Sequence, residues 1–205
     1  MNVDLALALD VSGTLVFAVS GALLAVRKEL DIVGVIVLAV AAGMGGGIIR
    51  DVLLGDTPPV AVDNQLYPII GIVTGLLVFL FHQYVRRLRL GIGLWDALGL
   101  GFFAVSGTLK SLDAGVSPLP AVLLGVVTGV GGGMVRDLLA LEVPVVLHRD
   151  IYALAALVGA VICTIAVYLD QPSSVAAFLG VSSTFILRVL AMRFGWSAPR
   201  PRDRL

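Results

Sequence analysis

One block of this chain occurs twice in the same register. Gly43-Met-Gly-Gly-Gly-Ile-Ile-Arg-Asp51 returns as Gly129-Val-Gly-Gly-Gly-Met-Val-Arg-Asp137, 86 positions later. At that offset Phe17-Ala-Val-Ser-Gly21 returns unchanged as Phe103-Ala-Val-Ser-Gly107, and Asp10, Gly13 and Pro58 return as Asp96, Gly99 and Pro144. Agreement without a gap marks a duplicated unit, so the fold must accommodate that unit twice.

The surroundings of the repeat are apolar. With 59% hydrophobic and 14% charged residues and a mean hydropathy of +1.04, the composition is that of an integral membrane protein. A helix needs about 20 residues to cross ~30 Å of hydrocarbon. Seven segments qualify: Leu5–Val26, Ile32–Leu54, Tyr67–Val85, Leu94–Leu112, Leu119–Leu141, Ile151–Leu169 and Val175–Met192. The opening, with Asp4 and Asp10 and no early Lys or Arg, differs from a signal peptide, so the first segment is expected to stay as a span. A formal net charge of +0 and no basic stripe argue against nucleic acid as a partner. Cys163, the single cysteine, offers neither disulfide nor metal cluster.

Sidedness follows from the basic residues between spans. One face collects Arg27, Lys28, Arg86, Arg87, Arg89, Arg149, Arg193, Arg200, Arg202 and Arg204; the other has Lys110 alone. The basic face is the cytoplasmic one. This places the N-terminus outside and the C-terminus inside. Each copy holds three spans, an odd number, so the second enters the membrane inverted. The expected architecture is all-α, with seven transmembrane helices in two inverted three-helix repeats plus a seventh. Residues 1–90 form the first repeat, 91–171 the second, and 172–205 the seventh helix with a basic tail. Ser182-Ser-Thr184 and Arg188 mark the seventh for packing against protein.

The glycine runs, Gly43 with Gly45, Gly46 and Gly47 and Gly129 with Gly131, Gly132 and Gly133, fall mid-span. Such runs serve either close helix packing or a break, each glycine costing about 1 kcal/mol of helix stability. Broken backbone at that depth must line protein or a wet cavity. Freed carbonyls there suit a cation. Arg50-Asp51 and Arg136-Asp137 lie about a turn further on, where a charge costs at least ~2.5 kcal/mol. Depth pairs Asp10 with Arg50 and Asp96 with Arg136, one pair in each leaflet. These are either static pairs holding a bundle or the lining of a polar path. Coincidence of glycine runs and charges in both copies favours the path, with helices two and five broken.

Ser20 and Ser106 can stand in for water around an ion, and Phe17 and Phe103 can narrow its passage. Tyr67, Tyr84, Trp95, Tyr152 and Tyr168 sit near span ends and read as interfacial anchors. His82 and His148 have no second ligand at metal spacing, so no metal site is expected. The tail from Pro199 to Leu205 reads as solvated or close to headgroups.

The doubled glycine–Arg–Asp segments at Gly45–Asp51 and Gly131–Asp137, with the doubled Phe-Ala-Val-Ser-Gly, resemble the prokaryotic branch of the trimeric intracellular cation channels, the TRIC family. The repeat unit is also similar to a glycine-transporter-like domain. The resemblance covers nearly the whole chain. It implies a homotrimer in a prokaryotic inner membrane, with a pore through each protomer, kinked at both glycine runs. The permeant ion would be K+ or Na+, chiefly potassium. No cofactor, obligate protein partner or catalytic activity is implied. The lipid-binding and gating motif of the animal members has no match here, since Met134-Val-Arg-Asp137 offers only an arginine. The rival reading is a secondary transporter of glycine or another small zwitterion, which inverted repeats fit equally well. An enzyme is disfavoured, because the glycine runs lack the Lys-Ser/Thr of a phosphate loop.

Overall fold

The structure is a computed structural model that describes residues 3–87, 91–148 and 151–196. Arg89, Arg149 and the tail from Pro199 to Leu205 lie outside the described residues, as do the side chains of Tyr84, Arg86, Arg87 and His148. The described chain is helical: α1 (Val3–Arg27), α2 (Ile32–Leu54), α3 (Val60–Asp63), α4 (Leu66–Arg87), α5 (Ile92–Asp113), α6 (Pro118–Leu139), α7 (Val145–His148), α8 (Tyr152–Tyr168) and α9 (Ser173–Phe194). Helices α1, α2, α4, α5, α6 and α9 are each long and apolar enough to cross a membrane. Helix α8 is apolar but has 17 residues, about 25 Å at ~1.5 Å per residue.

Local chemistry sets the ends. Asp31 starts α2 by accepting from the Gly34 amide at 2.8 Å, satisfying one orphan donor of the first turn. Gly55, at φ +74°, ends it in a left-handed cap. Ser117-Pro118 opens α6 with proline at the first helical position.

Helices α1, α2, α5 and α6 form the centre. Helix α4 packs on α1 and α2, α8 on α5 and α6, and α9 on α5 and α8. Helices α1 and α5 run antiparallel. Gly13 of α1 faces the Phe103 ring, and Gly99 of α5 faces Phe17.

The glycine runs behave otherwise than expected. Helices α2 and α6 are α-helical throughout, and the one internal departure recorded among the described helices is at Phe81 of α4 (φ −105°, ψ 16°). Close packing, not a break, accounts for the glycines. A methyl at Gly46 would collide with the Thr128 carbonyl, and one at Gly132 would lie 2.6 Å from the Ala42 carbonyl. Those two contacts are images of each other under the duplication. Gly43 is pressed in the same way against the Thr14 carbonyl (2.8 Å), and Gly129 against that of Leu100 (3.0 Å). The helices cross backbone to backbone, as small residues permit in membranes. The expectation of helices broken at 43–47 and 129–133, with carbonyls released to an ion, is therefore corrected.

Candidate functional site

The three intramembrane charges of each copy gather into a cluster, Asp10, Arg50 and Asp51 toward one end of the bundle and Asp96, Arg136 and Asp137 toward the other. In the first, Arg50 extends from α2 to Asp10 on α1, donating from Nη1 to Oδ1 at 2.6 Å and from Nη2 to Oδ2 at 2.8 Å. Its Nε donates to Asp51 Oδ1 at 2.8 Å, and Nη1 also donates to Ser106 Oγ at 2.7 Å. Ser106 in turn donates to Asp10. In the second, Arg136 donates from Nη1 to Asp96 Oδ1 at 2.7 Å, from Nε to Asp137 Oδ1 at 2.8 Å, and from Nη1 to Ser20. Tyr152 adds a donor to Asp96 at 3.1 Å.

Each serine comes from the opposite copy. Antiparallel packing of α1 on α5 carries Ser20 to the Asp96 end and Ser106 to the Asp10 end. Arg50 and Arg136 are 1% and 2% exposed, so their charge is compensated by these partners rather than by water. Bidentate, charge-assisted bonds are the arrangement that tolerates such burial.

The Arg-Asp dipeptide has a second local reason. The arginine turns inward, while the aspartate reaches forward to the next short helix. Asp51 accepts from the Val60 amide at 3.0 Å at the start of α3, and Asp137 from the Val145 amide at 2.9 Å at the start of α7.

Phe17 and Phe103 meet between the clusters, their rings stacked at 5.7 Å with an 18° tilt. Being images of each other, they sit on the pseudo-two-fold axis. Both are essentially unexposed. Gly45 and Gly131 lie against Val135 and Ile49, Gly133 faces the Tyr152 hydroxyl, and Gly47 has no neighbour within 3.8 Å of an added methyl. The glycine runs, Phe17 and Phe103 thus meet around one helix crossing, with Ser106, Arg50, Asp10 and Asp51 in the cluster on one side of it and Ser20, Arg136, Asp96 and Asp137 in the cluster on the other.

The cavities touching the two clusters differ in size. At the Arg136 end a cavity of about 380 Å³ is lined by Leu24, Asp96, Arg136, Asp137, Glu142 and Arg188, among others. At the Arg50 end the cavity touching Asp10, Thr14, Arg50, Tyr67 and Phe103 holds about 10 Å³, room for a single water. The mouth of the larger cavity carries an ion pair, Lys28 Nζ to Glu142 Oε1 at 2.9 Å, with Arg27 at 3.6 Å. Lys28 beside it holds the Glu142 carboxyl below the usual glutamate range. A depressed folded-state value contributes stability above the unfolded value, and that contribution is lost as pH falls through the folded value. Exposed pairs of this kind are worth at most about 1 kcal/mol. Glu142→Gln is therefore expected to lower the detergent melting temperature slightly at neutral pH. The difference should vanish in acid, which paired melts across pH would check.

Several participants escaped sequence reading. Tyr67 and Tyr152 are 3% and 1% exposed and belong to the clusters, so the interfacial assignment is corrected for both. Inward tyrosines near span ends look like anchors until the partner helix is known. Tyr168, 63% exposed, keeps the exposed position expected of an anchor. Arg188 on α9, which the sequence marked for packing against protein, lies over the Tyr152 ring at 5.0 Å. Lys110 Nζ reaches Asp51 at 2.8 Å and Asp56 at 2.6 Å, although a lysine at a helix end reads as a solvated residue. His82 bonds the Phe79 carbonyl at 2.8 Å.

Comparison with known proteins places this geometry. The family model described as "Glycine transporter" matches twice, at residues 7–83 and 94–168. The inner membrane protein YadS of Escherichia coli is 39% identical over 93% of each chain. A UPF0126 membrane protein of Vibrio cholerae is 40% identical over 97% of this chain and 84% of its own. The solved TRIC orthologue from Rhodobacter sphaeroides superposes with a TM-score of 0.87 at 38% identity, over 93% of this chain and 98% of that one. The chain belongs to the prokaryotic TRIC family. A second prokaryotic TRIC channel structure has a TM-score of 0.87 at 32% identity, covering 97% and 100%. With its apolar helices and these relatives, this TRIC chain is a multi-pass membrane protein.

Proposed function

We propose that the protein is a cation channel with potassium as its chief permeant ion, conducting between the two repeats within each protomer. The observation that carries this reading is the line of polar groups through the bundle: Asp10, Arg50 and Ser106, then the Phe17–Phe103 pair, then Ser20, Arg136 and Asp96. The likeness to solved TRIC cation channels supports it. Side chains, not helix carbonyls, would replace an ion's water. The arginines act as brakes, because moving one charge through the field is worth ~2.3 kcal/mol per 100 mV. The aromatic pair closes the waist.

The reading includes a homotrimer in a bacterial inner membrane, with α8 as a seventh span and the Arg27 face cytoplasmic. The chain then divides into 1–90, 91–171 and 172–205 as the sequence suggested. Arg136→Gln combined with Asp96→Asn, which leaves the net charge of the cluster unchanged, is expected to raise unitary conductance or open probability. Planar-bilayer recording under a potassium–sodium gradient tests this. Unchanged currents would remove Arg136 from conduction, and absence of unitary currents from the wild-type protein would overturn the channel itself.

A second reading draws on the unequal cavities. A site with a larger cavity at one end than at the other suits alternating access by a transporter of glycine or another small zwitterion. Saturable glycine counterflow without unitary steps would favour it.

A further inference from the structure

Helix α9 stands outside the duplication, so what it contributes reaches one cluster and has no image at the other. It packs on α5 and α8. Gly180, Thr184 and Arg188 recur at every fourth residue, on one face of α9, and all three are buried. Gly159 of α8 is pressed against Gly180 and Thr184 too closely for a Cβ. Further along both helices, in the antiparallel sense, the same face carries the Arg188 guanidinium over the Tyr152 ring, 5.0 Å from its centroid.

Tyr152 is seated in its turn. Its hydroxyl stands 2.6 Å from where a Cβ on Gly133 would lie, and it donates to Asp96 Oδ1 at 3.1 Å. Gly47, which matches Gly133 in the duplication, has only Phe103 at 3.9 Å and Arg50 at 4.0 Å beside its missing Cβ. Tyr67 lines the small cavity with Asp10 and Arg50 but does not enter that notch. Among the described residues, the glycine seat, the tyrosine donor and the covering arginine thus occur together at the Arg136 end. Arg188 also lines the cavity of about 380 Å³ there, with Asp96 and Arg136.

We propose that Arg188 is a positioning residue of the conduction pathway: lying over the Tyr152 ring, it keeps the phenol on Asp96 and so withholds that carboxylate from cations entering through the larger cavity. The inference rests on the channel reading above. A cation over an aromatic face is held more strongly when desolvated, and Arg188 is 5% exposed. A hydroxyl that donates to a carboxylate occupies a lone pair that an ion would otherwise use.

Single-channel recording of reconstituted protein tests this. Tyr152→Phe keeps the ring and the Arg188 charge but removes the donor. It should raise the current carried by cations entering from the Arg136 end by about threefold to tenfold, the order set by one hydrogen bond. Arg188→Met should raise the same current, and Arg188→Lys, which keeps a cation over the ring, should recover most of the wild-type behaviour. Arg188→Met also removes a positive charge from the cavity wall, so the decisive comparison is its fold-change in the Tyr152→Phe background, which should be smaller than in the wild type. Equal fold-changes in the two backgrounds, or a Tyr152→Phe current identical to wild type, would overturn the role. Should Arg188→Met fail to assemble, Tyr152→Phe carries the decision.

A second readout needs no current. With 3-fluorotyrosine in place of tyrosine, the fluorine resonance of position 152 is assigned by its loss in Tyr152→Phe. Arg188→Met and Asp96→Asn should each move it, and Arg188→Lys should move it less than Arg188→Met. A resonance unmoved by Arg188→Met would overturn the positioning. If the wild-type protein gives no unitary currents while the resonance responds in this way, the channel reading fails and the hold of Arg188 on Tyr152 stands.

Discussion

Arg136→Met is expected to destabilise the protein by about 3–5 kcal/mol, the cost of breaking a buried ion pair by removing one partner. The change strands Asp96 and Asp137, which are 3% and 2% exposed, and leaves Tyr152 and Ser20 without the charge they help to position. Asp137 keeps only the Val145 amide among its recorded partners. Thermal melting in detergent would register the loss as a fall of many degrees in the midpoint. Adding Asp96→Asn should recover part of it, because a neutral amide needs no counter-charge in the interior. If the single variant melts with the wild type, the cluster is not holding α5 to α6, and the geometry described for it is wrong.

The second large effect concerns the glycines, and it separates packing from flexibility. Gly132→Ala places a methyl 2.6 Å from the Ala42 carbonyl, and the neighbour is backbone, not a flexible side-chain tip. Helices α2 and α6 must then part, at a cost of about 1–3 kcal/mol for overpacking. Gly47→Ala meets nothing nearer than Phe103 at 3.9 Å, so it should stabilise the protein by up to about 1 kcal/mol through helix propensity. Opposite signs from two neighbouring classes of glycine are the signature of a packed crossing. Were the runs flexible hinges instead, both substitutions would stiffen the helix alike. Melting temperatures of the two variants decide the matter.

These residues also show what the sequence could and could not say. The duplication was legible because it is a literal repeat, and the pairing of Asp10 with Arg50 and Asp96 with Arg136 followed from depth, which helix rise fixes without tertiary knowledge. The role of Gly43–Gly47 was not legible. A glycine run permits either a break or a close approach, and only the neighbour at the missing Cβ distinguishes them. The crossing-over of Ser20 and Ser106 was hidden for a related reason, since it depends on which helix lies antiparallel to which. Tyr67 and Tyr152 were misread because tyrosine is common at membrane surfaces, whereas their positions turn them inward beside the buried clusters, and nothing in the sequence tied Lys110 to Asp51.

The exchanged serines carry a consequence for any attempt to divide the molecule. A half-length fragment made from either copy retains its arginine and both aspartates but loses the hydroxyl that completes their hydrogen bonding. It also loses the phenylalanine that fills its Gly13 or Gly99 notch. Neither fragment can satisfy its own interior. Only an antiparallel pairing of the two, each supplying what the other lacks, restores the full set, so the halves are mutually dependent building blocks and not autonomous ones.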